Sequence, residues 1–70
     1  MNESKHDKFK RLAEQRGNRI LHYLRLLSNL SNKSNYDYSE AEVRQMFSTI
    51  DHQLRVTKQN FASPTKKIRL

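Results

Sequence analysis

The residue types that most often carry chemistry are present in this chain, but their spacing is wrong for it. Three histidines occur, His6, His22 and His52, and no metal-ligand spacing relates them. There is no cysteine, so thiolate metal sites, disulfides and cysteine nucleophiles are excluded. Asp37 lies between Tyr36 and Tyr38 in a Ser- and Asn-rich stretch, where turn chemistry accounts for it better than acid catalysis does. The two tyrosines have the flat faces that stack on bases. At the end of a helix pair such rings more often fold down over the core. No Ser–His–acid or paired-carboxylate arrangement has a scaffold deep enough to exclude water, so an enzyme is not expected and no cofactor or metal is implied. The single glycine, Gly17, cannot build a phosphate-cradling loop, which excludes the nucleotide-binding motifs.

Charge is the more informative signal. Fourteen Lys and Arg face seven Asp and Glu, for a formal net charge of +7. Residues 1–30 hold seven bases (Lys5, Lys8, Lys10, Arg11, Arg16, Arg19, Arg25) and three acids (Glu3, Asp7, Glu14). Residues 31–61 balance four bases with four acids. The surplus therefore belongs to the first segment and to the end of the chain, where Lys66, Lys67 and Arg69 meet no acid. On a helix of about 100° per residue, Lys8, Arg11, Gln15, Asn18, Arg19, His22, Arg25 and Asn29 share one face, with Asp7 and Glu14 at its margin. Arginine and lysine neutralise phosphates, and amide side chains bond to phosphate, sugar or base edges. A solvated helix face is the plainer reading of a charge run. The sign bias, the interleaved amides and the basic end favour nucleic acid as the partner, DNA or RNA. Lys8, Arg11, Arg19, His22, Arg25, Lys66, Lys67 and Arg69 are the candidate contacts.

The elements that must position this face are helices. Phe9, Leu12, Ala13, Ile20, Tyr23, Leu24, Leu27 and Leu30 recur at three- and four-residue steps and predict a helix over about residues 5–30. Residues 1–4 read as frayed. Gly17 costs about 1 kcal/mol relative to Ala in a helix interior. The apolar phase is the same on both sides of it, so the helix is expected to continue. Residues 31–38, rich in Ser and Asn, read as a loop. Ser39 followed by Glu42 is a capping box, and Tyr38 and Val43 stand at the positions of a hydrophobic staple across it. Val43, Phe47, Ile50, Leu54, Thr57 and Phe61 then step 4, 3, 4, 3, 4, a coiled-coil-like seam with one polar interruption, widened by Met46. This second helix is expected over about residues 40–61, ending before Pro64 because the residue preceding proline disfavours the α region.

The expected architecture is all-α: an antiparallel two-helix hairpin over residues 1–62, followed by a basic tail, 63–70. A 70-residue chain buries only roughly 60% of its unfolded surface even when compact, so stability is marginal without help. Leu21 and Leu26 lie about 100° to either side of the main stripe, and Val56 lies off the second seam. These three are the candidate partner interface, and completion of a bundle by self-association or by a larger protein is expected. Arg16 falls inside the apolar stripe, where it either snorkels at the core edge or fixes register.

The functional expectation is a non-catalytic basic module that binds nucleic acid, as a small accessory subunit of a nucleoprotein complex. The rival is an adaptor or inhibitor whose positive face meets an acidic protein. A helix-turn-helix reader fits less well, because that motif needs a three- or four-residue turn and usually a third helix. The opening residues lack the apolar run of a secretory signal, and no stretch approaches the roughly 18 apolar residues of a membrane span, so an intracellular, cytoplasmic protein with no membrane partner is expected. Surface attachment to a membrane by the first helix is disfavoured, since a second helix offers a matching apolar face.

Overall fold

The computed structural model describes residues 3–62. Helix α1 runs Lys5–Ser28, one turn of 3-10 helix covers Asn29–Ser31, and helix α2 runs Glu40–Phe61. No strand occurs among the described residues. The described residues divide into two units, one ending at Asp37 and the other beginning at Tyr38. The tail expected over 63–70 lies outside the described residues.

α1 starts on a cap that the frayed reading of residues 1–4 overlooked. Ser4 is its N-cap, in extended conformation, and its hydroxyl accepts from the Asp7 N–H at 3.0 Å. Its carbonyl accepts the first helical bond, from the Lys8 N–H at 2.9 Å. Asp7 adds an acid to the first turn, where it faces the positive end of the helix dipole. The helix passes through Gly17 without a break, with ordinary negative φ.

The α1 helix proper ends two residues earlier than the expected Leu30. The Asn29 N–H is shared among the carbonyls of Arg25, Leu26 and Leu27, and the chain tightens into the 3-10 turn. Ser28, Asn29, Ser31 and Asn32 are weak helix formers, and poor propensity concentrated at one end lets the last turn tighten. Asn32 then organises the loop. Its side-chain oxygen accepts from the Ser34 N–H at 3.0 Å, and its carbonyl accepts from the N–H groups of Asn35 and Tyr36.

The capping box of α2 is complete. The Glu42 N–H donates to the Ser39 hydroxyl at 3.1 Å, and the Ser39 N–H donates to the Glu42 carboxylate at 2.8 Å. Tyr38 and Val43 are both half-buried while their neighbours are exposed, as a staple across the cap requires. Phe61 closes the helix, and Ala62 turns extended with its N–H bonded to the Gln59 carbonyl.

No described residue is buried. Both apolar stripes are open: Ile20 is 61% exposed, Tyr23 66% and Leu54 50%. Helices of 24 and 22 residues lie beyond the 12–15 at which isolated helices are marginal, but tertiary packing normally supplies most helix stability.

Candidate nucleic-acid interface

A continuous helix is what aligns the basic residues. Lys8, Arg11, Gln15, Asn18, His22, Arg25 and Asn29 step 3, 4, 3, 4, 3, 4 along the sequence, so on α1 and its cap they form one row opposite the apolar stripe. Arg19 flanks it. All eight side chains are exposed. From Lys8 to Arg25 the row spans roughly 26 Å at 1.5 Å per residue, about the length of seven phosphates on one strand of B-form DNA. A break at Gly17 would have rotated the two halves apart.

The electrostatics of the row are uneven. Arg11 is engaged: its Nε donates to Glu3 Oε2 at 2.8 Å and its NH2 group donates to Glu3 Oε1 at 3.0 Å. The hydrogen bond from Arg11 holds the Glu3 carboxyl below the usual carboxylate range, and the same bond raises the arginine further. Both groups are solvent-exposed, so water and salt screen the pair strongly. Lys8, Arg19 and Arg25 have no ion-pair partner among the described residues. Among the described residues, three of the four α1 cations proposed for phosphate therefore have no ion-pair partner, and the fourth is held by a carboxylate that a phosphate would have to displace. Sequence periodicity did not register Glu3, because it lies outside the helix and reaches Arg11 from before the cap.

His22 lies on the row, and its ring meets that of Tyr23 edge to face with centroids 5.5 Å apart. Among the described residues no group of three or more His, Asp or Glu could hold a metal ion. Lys66, Lys67 and Arg69 lie outside the described residues. Of the off-stripe apolar residues, Leu21 is 54% and Leu26 45% exposed. Val56 is half-buried and offers less surface than the two leucines. Arg16 is exposed. On α2, Gln53 and Thr57 bond to each other: Gln53 Nε2 reaches the Thr57 hydroxyl at 3.3 Å, and that hydroxyl donates to the Gln53 carbonyl at 2.8 Å. Tyr36 is 47% exposed, whereas Tyr38 is half-buried.

Among the described residues, then, the chain is an all-α protein with one basic, acid-poor helix face and two exposed apolar stripes. No family model, no curated protein and no solved structure matches it. No helix among the described residues is long and apolar enough to cross a membrane.

Proposed function

We propose that this chain is a non-catalytic module that binds nucleic acid through the polar row of α1, and that it works as a small accessory subunit of a larger nucleoprotein complex. The observation that carries this reading is the row itself: Lys8, Arg19 and Arg25 are exposed and have no ion-pair partner among the described residues, with amides between them, Asp7 and Glu14 at the margin and Glu3 at the end. In this reading the two helices close as an antiparallel hairpin over their stripes, which leaves the row outward. Residues 63–70 add three further cations.

The reading is tested by titrating the isolated protein with duplex and single-stranded oligonucleotides at several salt concentrations. Four α1 cations (Lys8, Arg11, Arg19, Arg25) give a slope of log affinity on log salt of about −3.6 on B-form DNA and about −2.8 on single strands. The three cations of the tail would steepen it. Absence of binding at low salt removes the proposal.

One observation favours a second reading. Glu3 grips Arg11 with both carboxylate oxygens, which is how an acidic protein segment would engage the same face. An adaptor or inhibitor of this kind would bind an acidic protein in place of nucleic acid.

A further inference from the structure

The side chains of the α1 row are sorted by chemistry across its width. At about 100° per residue, Arg11, Gln15, Asn18, His22 and Asn29 lie within about 30° of the middle of the face. Lys8 and Arg19 lie about 50° and about 70° to one side, and Arg25 lies about 50° to the other. Asp7 and Glu14 share the Arg25 side. Leu26, on the Lys8 side, is the one apolar residue of α1 within these arcs. Amides therefore hold the centre of the face, and cations stand at both margins. Gln15 and Asn18 are exposed, and neither side chain has a hydrogen bond among the described residues. Asn18 is also a poor helix former, set in mid-helix beside Gly17 with no side-chain bond to offset its cost. A residue that breaks a local rule without a compensating contact marks a functional position.

We propose that this face lies in the major groove of duplex DNA, where Gln15 and Asn18 read adenines while Lys8, Arg19 and Arg25 hold the phosphates to either side. The inference rests on the nucleic-acid reading and narrows its substrate. A helix with its side chains is about 10–12 Å across, and the major groove of B-form DNA, about 12 Å wide, admits it. A carboxamide oxygen accepts from the adenine N6 amino group while its NH2 donates to adenine N7, and both adenine atoms face that groove. Three residues of helix rise about 4.5 Å, so Gln15 and Asn18 meet base pairs about one step of 3.4 Å apart. Three alternatives fit less well. The major groove of duplex RNA is too narrow for side chains to read. Single strands are held largely by bases stacked on aromatic rings, and the only ring on the row is His22. An acidic protein would engage the cations and leave the central amides without a task. Asp7 and Glu14 weaken the Arg25 margin, so the stronger phosphate contacts fall on the strand that faces Lys8 and Arg19.

The test uses the full chain and a library of duplex DNA with a randomised core. Rounds of binding and amplification are expected to enrich cores with adenines on neighbouring base pairs, bound at least about fivefold more tightly than a core of G·C pairs alone. Gln15→Ala with Asn18→Ala should abolish that preference and leave the salt slope unchanged, since neither removes a cation. Alanine favours helix at both positions, so a folding defect does not account for the loss. A change in the DNA gives a readout that leaves the protein untouched. 7-Deaza-adenine in the enriched core lacks the N7 acceptor, keeps its Watson–Crick pairing and should lower affinity toward that of the G·C core. No enrichment, or a preference that survives either the alanine variants or 7-deaza-adenine, overturns the inference. Equal affinity for single strands or for duplex RNA overturns it too, and leaves nucleic-acid binding by the row intact. Absence of binding to every nucleic acid removes both.

Discussion

At the scale of single residues, two glutamates do most of the local electrostatic work, and they do it differently. Glu42 accepts from the Ser39 N–H inside a closed capping box, and that bond holds its carboxyl below the ordinary range. A carboxyl lowered by folding contributes stability that is fully present above its unfolded value and is lost as pH falls through the folded one. Helix content measured by circular dichroism on acidification should therefore drop through the acidic range, and less so in Glu42→Gln, which keeps a side-chain acceptor. Glu3 sits instead on a proposed binding residue. If phosphate must displace it from Arg11, Glu3→Gln should raise affinity for an oligonucleotide roughly two- to fivefold, the scale of an exposed ion pair. Unchanged or reduced affinity in a titration at low salt would remove Arg11 from the set of contacts. The capping box was legible from sequence because Ser and Glu three apart have one strong structural meaning. The Glu3–Arg11 pair was not, since it joins residues eight apart across a helix start that had been read as frayed.

At the scale of elements, α2 came out within a residue of the sequence reading and α1 did not. The difference is in their ends. α2 has a capping box at one end and a proline-limited stop at the other, both with local causes. α1 starts at the expected Lys5, capped by Ser4, but ends two residues early, among Ser and Asn residues whose side chains compete for backbone partners. The phase argument for a helix unbroken at Gly17 held, and the row of bases depends on it. Nothing lies within 4 Å of a Cβ built on Gly17. Gly17→Ala should therefore stabilise α1 by about 1 kcal/mol, seen as a raised thermal midpoint. A lower midpoint would mean that another surface approaches the backbone there. Ser39→Ala removes the N-cap bond of α2 and should cost about 1 kcal/mol, read from a denaturant midpoint, with no effect on oligonucleotide affinity if binding resides on α1.

At the scale of the whole molecule, a charge of +7 attracts any polyanion, so binding by itself does not place the interface on α1. Location must be separated from amount. Arg19→Glu with Arg25→Glu and Arg44→Glu with Arg55→Glu lower the net charge equally, from +7 to +3, two charges for each reversal. All four arginines are exposed, and none has an ion-pair partner among the described residues, so neither pair breaks a salt bridge. Long-range attraction depends on the total and should weaken alike in both variants, within the roughly 10 Å screening length at 0.1 M salt. Counterion release depends on which cations touch phosphate. Reversing the α1 pair removes two such contacts and should flatten the salt slope by about 1.8 on B-form DNA. Reversing the α2 pair should leave the slope at its wild-type value while lowering affinity modestly. Equal flattening in both would mean that the protein binds as a diffuse cation and that the row on α1 is only a solvated face. Flattening by the α1 pair alone would tie the contact to the one element whose sequence puts bases and amides in register over six turns.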